Sequence, residues 1–335
     1  MNKYGYWGGF VLSLVFLFIF LRKIDLASIW AIFQSVEYLY IIPLILVQIL
    51  SIWIRAKRWR YLLSPIKIIK TGPLFHATAI GFMANNILPA RVGELVRAYV
   101  LGNKEKISKT ASFATIVVER LFDGFTILLM FLLVILLMPF PPDRSQLFTP
   151  YQIKMAGTLS FLLYLIVLGV LLSLHFHNEK VSRLIGFFLR RLPERLSSKI
   201  LKKIESFVLG LEVLQNTRDI LVVIGYSFFL WVVTALSYYF LFLAFHLNLP
   251  VLAAFFLLIV LVFGVSIPSA PGYIGTFHWA CAAGLIFLGI EANLAKSFAL
   301  LLWFFGFVPI VSLGLFSLWI EGMSLGQLKK TDTEV

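Results

Sequence analysis

Eight predominantly apolar runs, each seventeen residues or longer, recur along this 335-residue chain, at 4–21, 38–54, 111–138, 155–176, 220–245, 251–267, 273–290 and 297–320. A weaker run covers 74–88. A bilayer core of about 30 Å is crossed by roughly 20 helical residues rising 1.5 Å each, so these runs have the length of spans. They are too long, and alternate too little, for the roughly ten-residue strands of a membrane barrel. Hydrophobic residues make up 60% of the chain and charged residues 13%, about half the charged share of an ordinary globular domain. A water-soluble protein of this size could not cover its surface with so few polar groups. An ordinary cytosolic enzyme, a disordered chain and a nucleic-acid-binding module are therefore excluded; the net charge of +13 flanks apolar segments. The expected fold is an all-α polytopic helical membrane protein forming one integral domain over 1–335. Its halves are 1–176 and 220–335, joined by a basic connection at 177–219. Cys281 is the single cysteine and sits in an apolar run, so no disulfide framework or thiolate metal site is expected.

Lysine and arginine set the orientation. Eleven lie between Arg55 and Lys109, nine between Lys180 and Arg218, and Lys3, Lys329 and Lys330 lie near the ends. Arg22, Lys23, Arg144, Lys154 and Lys296 fall on the other side, and Arg120 falls within the membrane. Both termini are thus predicted to be cytoplasmic. The 4–21 run has no small-residue cleavage pattern after it and reads as a retained span. The connection carries apolar residues such as Val181, Leu184, Phe188, Ile200 and Phe207 on one helical face and basic residues on the others. That pattern suits either an amphipathic pair lying on anionic lipid or a basic loop packed on the protein.

The orientation makes 55–110 begin and end on the cytoplasmic side, so 74–88 should dip in and return. It likewise makes 251–290 begin and end outside, as two short spans or one hairpin. Two helix-breaking sequences lie in these regions, Asn85–Glu94 around Pro89 and Ile267–Thr276 around Pro268, Pro271, Gly272 and Gly275. Irregular backbone at membrane depth is tolerated where it is buried in protein or lines a wet cavity. One break in each half, entering from opposite faces, fits two broken or re-entrant helices in an inverted-repeat-like arrangement around a central site. The alternative is a pair of interfacial loops.

The first break carries Asn85, Asn86, Arg91, Glu94 and Arg97, the last three spaced by three residues and so on one side of a helix. The next run carries Glu119, Arg120 and Asp123, about 15 Å along from Lys109. Isolated charges at that depth are costly, so they should pair or face water. Their signs balance, which suits a closed ion-pair lattice. Part of it could instead open to an anionic headgroup, since an arginine fork can hold a phosphate through two hydrogen bonds. Arg91 is the leading phosphate-binding candidate, with Arg97 placed toward the cytoplasm. At the second break, a helix starting after Pro271 would offer free amides at Gly272–Gly275, and Thr276 and His278 could add side-chain hydrogen bonds. No catalytic set, cofactor motif or metal-ligand spacing stands out.

These residues carry a resemblance. Asn85-Asn-x-x-Leu-Pro-x-Arg-x-Gly-Glu94 with Arg97, then Glu119-Arg-Leu-x-Asp123, then Pro268-x-x-Pro-Gly-x-Ile-Gly-Thr-Phe277 resemble the signatures of the flippase-like integral membrane family (UPF0104-type) that includes the membrane region of lysyl-phosphatidylglycerol synthases. The resemblance implies a lipid-transport role, two re-entrant helices around a cavity, and a prokaryotic cytoplasmic membrane. Full-length synthases add a soluble aminoacyl-transferase domain for which this sequence has no room, so lysyl transfer is not expected. His278 stands where many members carry an acidic residue. The leading expectation is a translocator of a phospholipid or lipid-linked headgroup. A membrane-embedded glycosyl or aminoacyl transferase and a carrier for a small soluble anion are the alternatives. Membrane lipid is the expected partner, nucleic acid is not, and a homo-oligomer or partner enzyme is left open.

Overall fold

A computed structural model describes residues 3–21, 25–88, 92–138, 217–267 and 269–329, with part of 151–169. Arg91, Pro268 and nearly all of the connection at 177–219 lie outside the described residues. About 85% of the structure is helical, with no strand among the described residues. The helices are α1 (Lys3–Leu21), α2 (Leu26–Ser35), α3 (Ile41–Leu62), α4 (Thr71–Ile87), α5 (Gly93–Glu105), α6 (Lys109–Leu137), α7 (Thr217–Ala244), α8 (Val251–Ser266), α9 (Thr276–Phe287), α10 (Ala292–Ile320) and α11 (Leu325–Lys329). The described residues of 151–169 are also helical.

Four helical stretches are long and apolar enough to cross a membrane: Tyr38–Leu62, Lys109–Leu137, Thr217–Ala244 and Ala292–Ile320. The protein is therefore a polytopic helical membrane protein. The runs at 251–267 and 273–290 instead become helices of 16 and 12 residues, about 24 and 18 Å long and too short to cross upright. The weaker run becomes α4, of 17 residues.

The short helices form two hairpins. α4 packs on α5, and α8 packs on α9. The expected break at 85–94 narrows to the residues between Ile87 and Gly93, so Asn85 and Asn86 occupy the last turn of α4. The helix expected after Pro271 does not start there. Residues 271–273 form a 3-10 turn, Gly275 turns the chain at φ +91°, and α9 begins at Thr276. The conformation at Gly275 is one that a Cβ disfavours, which is why the helix start slips to the residue after it.

α10 begins with a side-chain cap. The Glu291 carboxylate accepts from the backbone N–H of Asn293 and of Leu294, each at 2.9 Å, satisfying two of the four unpaired amides at the helix start. Glu291→Ala is expected to lower the stability of the detergent-solubilised protein by about 1 kcal/mol, read as a lower midpoint of denaturation. An unchanged midpoint would show that solvent or detergent replaces the cap.

The apolar core divides in two. One cluster holds Leu44, Ile127, Phe242, Leu257 and Phe298; the other holds Trp59, Leu74, Met83, Val96 and Val118. α3 and α6 run through both. On α6 the seam falls between Val118 and Ile127, and the charged residues Glu119, Arg120 and Asp123 lie in it.

Candidate functional site

Three helices bring charge to the seam and a fourth brings neutral hydrogen-bonding groups. α3 contributes Arg55 and Arg58, α5 contributes Glu94 and Arg97, α6 contributes Glu119, Arg120 and Asp123, and α7 contributes Ser227 and Trp231. Arg58 is fully buried. Its Nη2 lies 3.0 Å from Glu119 Oε1, and its Nη1 lies 2.6 Å from Asp123 Oδ1. Nη1 also donates to Ser227 Oγ at 2.7 Å, and Nη2 to Asp123 Oδ2 at 3.1 Å. Arg97 Nη1 donates to Glu119 Oε1 at 3.0 Å, and its guanidinium carbon lies 3.8 Å from the centre of the Trp59 ring. The Trp59 indole is itself fixed by donating to Thr115 Oγ1 at 2.8 Å. Asp123 also receives Arg55 Nη1 at 3.3 Å and Trp231 Nε1 at 3.0 Å. Charges taken this far from water persist only when paired, and each of these is, although Arg58 Nε, Arg97 Nε, Arg97 Nη2 and Glu119 Oε2 find no hydrogen-bond partner among the described residues.

Arg120 differs from the other three arginines. Its contacts are looser: 3.4 Å to Asp123, 3.6 Å to Glu94 and 4.0 Å to Glu119. Its side chain is 38% exposed, against 8%, 0% and 2% for Arg55, Arg58 and Arg97. Both carboxylates that it shares with the buried arginines are already held at shorter range. Arg120 is thus the cation of this network that faces outward.

It faces a cavity of about 810 Å³, within the range of about 300–1,000 Å³ typical of small-molecule sites. One wall is polar, with Asn85, Asn86, Glu94, Arg120 and Asp123. The lining also holds the aromatic residues Trp231, Tyr238, Tyr273, Trp303 and Phe307. Asn85 organises the first hairpin: its Oδ1 accepts from Gly93 N at 2.8 Å, and its Nδ2 donates to Glu94 Oε1 at 3.2 Å. Asn86 Nδ2 donates to Phe82 O at 2.8 Å. The second hairpin reaches the same cavity through Gly272 and Tyr273. Trp303 Nε1 donates to Gly272 O at 2.7 Å and stacks on Phe307 with ring centres 4.8 Å apart. The two breaks meet here, since a Cβ built on Gly272 would lie 3.7 Å from Asn86 O.

The cavity therefore gathers Asn85, Asn86, Glu94, Arg120, Asp123 and Gly272 from the sequence candidates. Arg97 and Glu119 do not line it and belong to the buried network, where they pair with each other. Arg91 is outside the described residues. Pro271, Gly275, Thr276 and His278 do not line the cavity. The start of α9 instead abuts α1: a Cβ on Gly275 would sit 2.3 Å from Ser13 O. Thr276 Oγ1 donates to Tyr273 O at 3.3 Å. His278 is buried among aromatic rings, 5.2 Å from Phe20 and 5.4 Å from Trp303, with Nδ1 unpartnered among the described residues.

Arg55 and Arg58 are the site residues that sequence reasoning missed, because they counted as cytoplasmic charge at the end of a span. Their signal was the three-residue spacing. Both are buried on α3 while Arg60 is exposed and Lys57 partly so.

Residues 6–314 match the family described as lysylphosphatidylglycerol synthase TM region. A UPF0104 membrane protein of Methanothermobacter thermautotrophicus is 22% identical over 307 residues, covering 88% of this chain and 89% of that protein. The UPF0104 membrane protein MJ1595 of Methanocaldococcus jannaschii is 24% identical over 300 residues, covering 87% of each. Glycosyltransferase AglD of Haloferax volcanii is 29% identical over 120 residues, which is 36% of this chain and 19% of that protein. No solved structure matches the chain. A match across 6–314, over a helical membrane fold, shows that the chain belongs to the family of the lysylphosphatidylglycerol synthase TM region.

Proposed function

We propose that the protein is a lipid translocator whose cavity receives a phospholipid or lipid-linked headgroup while the acyl chains stay in the bilayer. The observation that carries this reading is Arg120, a partly exposed guanidinium in loose contacts on the polar wall of a cavity between membrane helices. A phosphate can draw Arg120 away without stranding a partner, because Glu119 and Asp123 keep Arg58 and Glu94 keeps the Asn85 amide. The cavity lining also includes Phe263, a large apolar side chain 41% exposed. The acyl chains, in this reading, leave the cavity past this apolar side chain. In this reading the α4–α5 and α8–α9 hairpins are re-entrant and enter from opposite faces, both termini are cytoplasmic, and the basic connection rests on anionic lipid.

The test is movement of acyl-labelled phospholipids in proteoliposomes. Arg120→Gln is expected to lower the rate about tenfold or more, the worth of one charge-assisted contact to a phosphate, while leaving the denaturation midpoint nearly unchanged. A wild-type protein that moves no lipid, or a variant that moves it at the wild-type rate, would sink the reading.

A second reading has one observation behind it. A relative named glycosyltransferase matches over 120 residues, and Glu94 is a partly exposed carboxylate in the cavity. The chain would then transfer a group to or from a lipid-linked substrate. Against it, the Glu94 carboxylate already accepts from Asn85 and faces Arg120, contacts that hold it in place as part of the wall. Covalently altered lipid after incubation with a sugar donor would favour it.

A further inference from the structure

Among the described residues the charge of the seam does not balance. Arg55, Arg58, Arg97 and Arg120 face Glu94, Glu119 and Asp123, four cations against three carboxylates. The charged residues that line the cavity among the described residues, Glu94, Arg120 and Asp123, all belong to this set. The surplus positive charge belongs to the network, and its exposed member is Arg120. A ligand carrying one negative charge completes the set; one that also carries an ammonium restores the surplus.

The rest of the lining is uncharged but not apolar. The Gln48 side-chain amide on α3 has no partner among the described residues, nor does Asn86 Oδ1, and both residues line the cavity. Amides with open valences bind hydroxyl groups, which both donate and accept. The stacked Trp303 and Phe307 rings are part of the lining, and the C–H face of a sugar ring or polyol packs on aromatic surface. An ammonium could also approach an aromatic face, but here it would do so beside unneutralised positive charge. The one cavity carboxylate with an outward oxygen, Glu94, is already opposed by Arg120 at 3.6 Å.

We propose that the cavity selects a lipid whose single phosphodiester carries an uncharged polyol or sugar head, and that it discriminates against amine-bearing heads, choline and lysyl esters included. The proposal rests on the translocator reading and narrows its substrate. Arg120 takes the phosphate, Gln48 and Asn86 take head hydroxyls, and Trp303 with Phe307 forms the stacking face.

Proteoliposomes containing the full-length protein would carry acyl-labelled phosphatidylglycerol or phosphatidylinositol in one set. The other set would carry phosphatidylcholine, phosphatidylethanolamine or lysyl-phosphatidylglycerol. The hydroxyl-bearing heads are expected to cross at least about tenfold faster, the scale of discrimination that one unfavourable charge contact gives. Gln48→Leu is expected to narrow that ratio severalfold without moving the denaturation midpoint. Radiolabelled glycerol phosphate trapped in the same vesicles is expected to stay inside; its escape through the protein would overturn a lipid-borne head. Equal rates for every head, all lost in Arg120→Gln, would overturn the head selectivity and leave the translocator reading standing. Faster movement of amine-bearing heads would overturn the selectivity too. No movement of any lipid would bring down both readings.

Discussion

Glu119→Gln is expected to cost about 3–5 kcal/mol of stability, the range for removing one partner from a buried charged network. The Glu119 carboxylate is fully buried and serves both Arg58 and Arg97 at 3.0 Å through one oxygen. A glutamine fills the same space but supplies a neutral acceptor, leaving two fully buried guanidinium groups short of charge. The surplus positive charge of the seam then grows from one to two. The same balance predicts an asymmetry. Arg55→Met removes a cation from a positive set and leaves Asp123 with Arg58, Arg120 and Trp231, so it is expected to cost clearly less. The measurement is the midpoint of denaturation in detergent for both single variants and for Glu119→Gln combined with Arg97→Leu. The double variant is expected to recover part of the loss, because it deletes one of the stranded cations along with its partner. Equal losses for Glu119→Gln and Arg55→Met would mean that the seam is not governed by its net charge.

Much of this architecture was legible in the order of residues. Long apolar runs became the four long helices, and the proline- and glycine-rich interruptions became the turns between short helices. The charges at Glu119, Arg120 and Asp123 stood out because nothing else in their run is charged, and they do pair. Three features were not legible, for physical reasons. Arg55 and Arg58 share a sequence cluster with Lys57 and Arg60, and a count of positive charge cannot tell a buried face from a lipid-headgroup face. Only the helical phase separates them. The helix start at Thr276 depends on the backbone angle at Gly275, which Pro271 does not fix. The aromatic lining joins residues of α7 and α10 to breaks more than a hundred residues away in the case of α4, and that juxtaposition exists only after packing. Arg97 illustrates the limit in a different way. Its position three residues from Glu94 does not name its partner, because the long side chain lies along Trp59 and reaches Glu119.

Gly93→Ala is expected to be as damaging as the loss of Glu119, through sterics instead of charge. The first turn of α5 lies against α4 so closely that a Cβ on Gly93 would sit 2.1 Å from Gly81 O and 2.5 Å from Asn85 Oδ1. The first neighbour is backbone and cannot rotate away. The second is the oxygen that accepts from Gly93 N at 2.8 Å. One methyl group therefore pushes the two helices of the hairpin apart and breaks the bond by which Asn85 holds the start of α5. Overpacking of this kind costs about 1–3 kcal/mol where side chains can yield, and this site has backbone on one side, so the upper end or beyond is expected. The effect should reach the cavity as well, because Asn85 positions Glu94, which faces Arg120. Gly225→Ala provides the comparison. Gly225 lies inside α7 with nothing within 4 Å of where its Cβ would be, so the same chemical change there is expected to raise stability by up to about 1 kcal/mol through helix propensity alone. Denaturation midpoints that fall for Gly93→Ala and hold or rise for Gly225→Ala would establish that close approach between α4 and α5 is what the glycine supplies. A Gly93→Ala protein with wild-type stability would show that this hairpin is not held at the separation described.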